Sequence, residues 1–243
     1  MKLAEATWPE VEAYLERKGG ILLPVGSTEQ HGPMGLIGTD AICAEAIAAR
    51  AAALAGAYVA PVLCYTPAPF NTGFPGTVSL SEPLFARVFA EVVAGLHAQG
   101  FGRVYVLNAH GANLAPMRQA AEGLAGAVRI RSWWDFDAVN ALRKELYGDW
   151  EGLHATPSEV AITQALCRAV PPGAAAEPPR KLTPKEIAER AGDRHGPPDL
   201  HRREFPDGRV GAHSALARPE HGERLLETAA AAVARDFGEF LTT

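Results

Sequence analysis

The sequence predicts an α/β fold, a three-layer αβα arrangement around a mostly parallel central sheet. Two observations carry this. Apolar runs of strand length alternate with amphipathic or alanine-rich runs of helix length, at the spacing of strand–helix–strand units. The first strand-like run, ILLPVG, is apolar on both faces, as a strand covered by helices on each side must be. With 243 residues, 47% of them hydrophobic, the chain has the length and composition for a single domain over 1–243.

The elements follow in order. WPEVEAYLERK, 8–18, has helical amphipathicity and ends at Gly19-Gly20. ILLPVG, 21–26, is short, apolar and closed by glycine, so it reads as a buried strand. DAICAEAIAARAAALAG, 40–56, is a helix with Asp40 in the N-cap role and Gly56 as its stop. AYVAPVL (57–63) gives a second strand and SEPLFARVFAEVVAGLHAQG (81–100) a second long helix. RVYVLNAH (103–110) is the third strand, GANLAPMRQAAEGLAG (111–126) a helix, and VRIRSWW (128–134) the fourth strand. In HATPSEVA, Pro157 fits a first helical turn with Thr156 as N-cap and Glu159 in the capping-box position. The stretch 171–207 is rich in proline and charge and reads as an excursion of loop plus one short helix within the same domain. PEHGERLLETAAAAVARDFGEFL, 219–241, is a long final helix.

Bulk properties narrow the partners. A net charge of −5 offers no general attraction for nucleic acid or an anionic membrane, so a small molecule is the expected ligand. Cys43, Cys64 and Cys167 are widely spaced and form no C-x-x-C pair, which points to a reducing compartment. The N-terminus has acidic residues where a signal peptide needs an apolar core, and no run reaches membrane-spanning length. A cytoplasmic location is the expectation.

In open parallel sheets, ligands bind beyond the carboxyl ends of the strands. Two conspicuous segments fall there. GSTEQHGPMGLIGTD, 26–40, presents Glu29, His31 and Asp40 in a loop whose turns require only glycine and proline. Glu29 and His31 share a side in extended backbone. NAHGAN, 108–113, places His110 among small residues that let backbone approach a ligand. Glu159 is accounted for by capping, whereas His154, just ahead of that helix, is not. Glu29, His31, Asp40, His110 and Glu159 make three carboxylates and two imidazoles, a set suited to zinc, manganese or iron and not to calcium. One catalytic zinc with an open position needs fewer ligands; two ions sharing a carboxylate would use all five.

These segments resemble the creatininase (creatinine amidohydrolase) family. PVGSTEQHGPMGLIGTD is close to that family's P-x-G-[ST]-x-E-Q-H-G-P-H-L-P-L-G-T-D. NAHGAN, HATPSEVA, GFPGTVSL (73–80) and GRVGAHSALARPEHGERLLE are similar to its later motifs, in order, from about residue 20 to 230. The resemblance implies two divalent ions, zinc first and manganese or iron as alternatives, held by Glu29, His31, Asp40, His110 and Glu159 with Asp40 as the bridge. It implies His154 as the proton-transferring catalytic residue, Trp150 as a substrate-pocket residue, and a homo-oligomer, a hexamer by family habit. Trp134 is a candidate for another pocket wall, and Trp133 for core packing. Three departures concern the substrate: Met34-Gly35-Leu36-Ile37 replaces His-Leu-Pro-Leu, Ala112 stands where creatininases carry glutamate, and Gly208–His213 lacks the family's Gly-Asp-Pro.

The expected activity is metal-dependent hydrolysis of a non-peptide C–N bond, in a cyclic amide such as creatinine or in a formamide, by hydroxide activated between the two ions. A formamidopyrimidine-type deformylase, a modified-peptide hydrolase and a non-catalytic metal-binding relative are the alternatives. A nucleotide-binding parallel-sheet enzyme is the remaining alternative, but GSTEQHGP is a poor match to a phosphate loop, with acidic Glu29 where phosphate would be repelled.

Overall fold

The two central strands of the sheet alternate their side chains between two buried faces. On β1 (Gly20–Val25), Leu22 points to one side while Ile21, Leu23 and Val25 point to the other; on β3 (Arg103–Asn108), Tyr105 and Leu107 oppose Val104 and Val106. Both faces are covered, which is why the runs are apolar throughout. In this computed structural model every residue is described except Ala125 and Asp193. They fall within the predicted helix 111–126 and the stretch 171–207, and to that extent those two expectations lie outside the described residues.

Among the described residues the sheet has four strands in the order β2–β1–β3–β4, all parallel, with β2 at Tyr58–Val59 and β4 at Val128–Ser132. One face is covered by α2 (Thr39–Ala55), α5 (Asp137–Tyr147), α6 (Pro157–Leu166) and α9 (Pro219–Thr242). The other is covered by α1 (Trp8–Leu15), α3 (Glu82–Ala98) and α4 (Leu114–Ala120). The three-layer αβα expectation and the parallel sheet hold. Among the described residues, no helix is long and apolar enough to cross a membrane.

Several boundaries differ from the sequence expectation. The second strand pairs over two residues only, because the chain then leaves the sheet edge toward Leu63, which bridges Val25. The fourth strand stops at Ser132, whose amide is taken by the Asp135 carboxylate, so Trp133 and Trp134 lie in a turn. Residues 135–148, unassigned from sequence, contain α5, with Val139 and Leu142 buried and Gly148 at φ 55° ending it. The described residues of the stretch 171–207 carry two short α-helices, α7 (Pro184–Arg190) and α8 (Pro198–Glu204), instead of one. Asp40 is not the N-cap: α2 starts at Thr39 with Gly38 in the cap position, and Asp40 is turned inward.

That inward turn depends on Gly26. A Cβ there would stand 2.4 Å from Ala41 N and 2.5 Å from the carbonyl carbon of Asp40. The end of β1 and the start of α2 therefore touch backbone to backbone. Gly26→Ala is expected to cost about 1–3 kcal/mol, typical of overpacking, and to displace Asp40. Chemical denaturation and metal stoichiometry of the same variant check both effects; a variant with wild-type values on both would show that the contact relaxes freely.

Candidate metal centre

Three chain segments meet at the carboxyl ends of β1 and β3. The loop after β1 is threaded so that Glu29 N donates to Ile37 O at 2.9 Å, closing the turn that brings Asp40 back to His31. Asn108 and Asn113, from the NAHGAN segment, tie the second piece to the first. Asn108 Nδ2 donates to His110 O at 2.8 Å, and Asn113 Nδ2 donates to Gly26 O at 2.9 Å. The third piece enters through Leu153 and His154, which pair with Val210 and Gly211. Between His154 and the cap of α6, Ala155 takes φ 56°, the one positive φ outside glycine among the described residues. That region is sparsely populated for a residue with a Cβ, and such strain concentrates at functional sites.

The side chains converge as three triads whose ligating atoms lie within 4.8 Å of one another: Glu29–His31–His154, Glu29–Asp40–His110 and His31–Asp40–Glu159. Asp40 spans two of them. Its Oδ1 is 2.9 Å from His31 Nε2, and its Oδ2 is 3.2 Å from His110 Nδ1. Glu29 Oε1 lies 3.1 Å from His110 Nδ1, and Glu159 Oε1 lies 3.8 Å from His31 Nε2. All five residues are buried.

Neighbouring groups orient these side chains. His31 Nδ1 faces Glu29 O at 3.1 Å, and His110 Nε2 faces Pro67 O at 2.7 Å. A carbonyl can only accept, so each ring carries its hydrogen there and turns the other nitrogen toward the cluster. Ser27 Oγ donates to Asp40 Oδ2 at 2.7 Å, and Asn71 Nδ2 donates to Glu29 Oε2 at 2.8 Å. Glu29 Oε1 is buried and has no hydrogen-bond partner. A carboxylate oxygen left this way, beside imidazole nitrogens and a second carboxylate, is what a divalent ion satisfies. The donor set fits two such ions.

Glu159 serves twice. The capping box is present, with Thr156 N donating to Glu159 Oε1 at 2.6 Å and Glu159 N donating to Thr156 Oγ1 at 3.3 Å. The same Oε1 faces His31.

Burial shifts the charges of the cluster. It pushes the Glu159 carboxyl up to about 7 and raises Glu29 as well, against the pull of His110. Burial would also lower His31, but the Asp40 carboxylate, aided by Glu159 and Glu29, lifts its imidazole to about 10. Asp40 meets the same desolvation yet is held well below the carboxylate range by His31 and His110. At neutral pH without metal, His31 therefore keeps a proton in the gap beside Asp40. A cation must replace it. The sign follows: metal uptake releases protons, one from His31 up to about pH 10 and a second from Glu159 below about pH 7. Apparent affinity should rise about tenfold per pH unit above pH 7 and more steeply below it; pH-dependent calorimetry in buffers of different ionisation heat reads the proton count. Affinity flat between pH 6 and 9 would contradict this charge assignment.

Over the cluster opens a cavity of about 360 Å3 lined in part by Trp133, Trp134, Arg143 and Arg190. Trp134 and His154 thus reach it. Trp150 does not line it; its ring faces His213 at 5.6 Å, with Lys181 Nζ 4.4 Å from the ring centre. His154 Nε2 lies 2.8 Å from Gln30 O, while Nδ1 faces Glu29 Oε1 at 3.7 Å. Gln30 and Asn71, both buried, join Glu29 to His154 through a 2.7 Å amide–amide bond, and the sequence offered no signal for either role beyond Gln30's place between two ligands.

The family model Creatininase: Creatinine amidohydrolase matches residues 4–237. Creatinine amidohydrolase of Pseudomonas putida is 29% identical over 184 residues, 68% of this chain and 71% of that protein. The 3-dehydro-scyllo-inosose hydrolase of Thermotoga maritima is 34% identical over 106 residues, which is 43% of this chain and only 34% of that protein. A mycofactocin precursor peptide peptidase of Mycolicibacterium smegmatis is 30% identical over 155 residues, 60% of this chain and 62% of its own length. Among solved structures, a mutant creatininase complexed with creatine matches with a TM-score of 0.78 and 25% identity, over 98% of this chain and 97% of that one. A mutant creatininase of Zn-Zn type and a creatininase designated Mn each match with a TM-score of 0.74 and 26% identity, over the same shares.

Proposed function

The chain belongs to the creatininase family of hydrolases, and from that premise we propose that it uses two divalent ions, zinc in the first instance, to hydrolyse a non-peptide C–N bond in a small cyclic amide or formamide. The carrying observation is Asp40, whose two oxygens face two different imidazoles 2.9 and 3.2 Å away. A carboxylate so shared joins two ligand sets into one centre. The Zn-Zn and Mn structures of relatives support the choice of ions. The cavity size supports a small substrate over a long peptide.

Asp40, Glu29 and His110 would hold one ion, and Asp40, His31 and Glu159 the other. When bound, the ions acidify water to a nucleophile near neutral pH and polarise the scissile carbonyl. The chain's own residues do the rest. His154 carries its Nε2 hydrogen toward Gln30 O, so Nδ1 is the atom that accepts a proton on the cluster side and passes it to the departing nitrogen. An imidazole suits both directions near its ordinary pKa of about 6.5. Trp133 and Trp134, with ring centres 5.9 Å apart, wall the cavity against bulk water.

The test is metal analysis of the purified chain together with turnover of creatinine, other cyclic amides, formamides and capped peptides. Two ions per chain with cleavage among the first three classes is expected. Cleavage confined to peptides would move the activity to the peptidase branch, and a full metal complement with no turnover of any class would make the chain a non-catalytic relative.

A further inference from the structure

We propose, resting on the hydrolase reading above, that the substrate carries a carboxylate away from its scissile C–N bond, and that Arg143 and Arg190 receive it. The two arginines reach the cavity from separate elements, α5 and α7, the latter within the proline-rich stretch. Both are held as rigid planes. Arg143 lies over the Trp133 ring at 5.3 Å and is pinned by Nε to Glu151 Oε1 at 2.9 Å and by Nη1 to Asn140 Oδ1 at 2.9 Å. Arg190 lies over the Phe205 ring at 5.2 Å, with Nη2 2.5 Å from Glu204 Oε1.

What remains of each guanidinium is the basis of the inference. A purely structural arginine spends all its nitrogens, as Arg209 does here. Its Nε binds Asp207, its Nη1 binds Ala175 O, and its Nη2 binds Glu177 O and Asp207. Among the described residues, neither Arg143 Nη2 nor Arg190 Nη1 makes a hydrogen bond. Spare donors on an oriented fork match the two oxygens of a carboxylate. Charge argues the same way. With two divalent ions bound, the two arginines and the ions would outweigh the three carboxylates of the lining, Glu29, Asp40 and Glu159, so an entering anion is favoured.

The experiment is a tryptophan-fluorescence titration of the zinc-loaded full chain, read through Trp133 and Trp134. The probes are succinamate, with an amide at one end and a carboxylate at the other, and succinamide, its neutral counterpart. The wild type should bind succinamate at least about tenfold more tightly, the worth of a charge-assisted hydrogen bond. Arg143→Lys keeps a cation beside Glu151 but removes the spare Nη2, and Arg190→Met alters the other wall. In each, the ratio should shrink toward about twofold while the zinc count stays at wild type. Equal affinity for the two probes in the wild type overturns the proposal. So does a preference untouched in both variants, since the carboxylate then sits on the ions. Hydrolysis of the same compounds and of the wider amide set separates this from its premise: turnover without carboxylate preference overturns this proposal alone, whereas preference without turnover of any amide overturns the hydrolase reading and leaves Arg143 and Arg190 as a carboxylate-binding site only.

Discussion

Asp40→Ala is expected to abolish binding of both ions at once and to lower turnover by about three orders of magnitude or more. The reason is the position of its two oxygens. Removing the side chain takes one ligand from the Glu29–Asp40–His110 triad and one from the His31–Asp40–Glu159 triad. His110→Ala is the contrast: it touches only the first, so it should lose one ion and keep the second. Metal counts by mass spectrometry on desalted protein distinguish the two variants. Asp40→Ala also leaves His31 beside Glu159 without its principal counter-charge, and breaking such a buried pair costs about 3–5 kcal/mol. The measurement therefore includes a melting curve, and Asp40→Asn, which keeps the shape and one acceptor, controls for collapse. Two ions retained in a folded Asp40→Ala protein would refute the bridging role.

His154→Ala is expected to lower kcat by about 10²- to 10⁴-fold, the range for a lost general acid–base group, with both ions still bound. The geometry permits a rival outcome. His154 Nδ1 is 3.7 Å from Glu29 Oε1, and His154 joins Glu29 and His31 in a third triad. If it were a ligand, the variant would lose metal in step with activity. If it is the proton carrier, metal content stays at wild type, KM changes little, and the limb of the pH–rate profile that reports an imidazole disappears. Asn71 Nδ2, which donates to Glu29, also lies 3.2 Å from the Nε2 of the His154 ring, so Asn71→Ala should shift that limb without erasing it.

The convergence of these side chains was legible because loops do not ordinarily need Glu29, His31 and Asp40 together, and because His110 ends a strand at the same sheet edge. Glu159 shows the limit of choosing between explanations: capping fully accounted for it, yet its Oε1 also faces His31. Asp40 was misjudged the other way, assigned to a helix cap that Gly38 occupies. Helix α5 passed unread because Trp133 and Trp134 extend the apolar run of β4, although Val139, Leu142 and the glycine stop at 148 carry a helical signal. Trp150 was placed by resemblance alone, and its ring packs on His213 beyond the cavity. Arg143 and Arg190 were invisible as cavity residues, since only tertiary packing brings a helix and a proline-rich stretch onto one wall.

Each triad takes two members from the loop 29–40 and a third from far along the chain, at His110, His154 or Glu159. No contiguous fragment holds a complete set. The long loops between these members must close before any ion has a third ligand, and the entropy of that closure falls on the polypeptide. Ions bound there would therefore grip the finished topology and have little purchase on partly folded chains, so resistance to unfolding should track free metal concentration logarithmically. The cluster would then double as a latch on the fold that builds it.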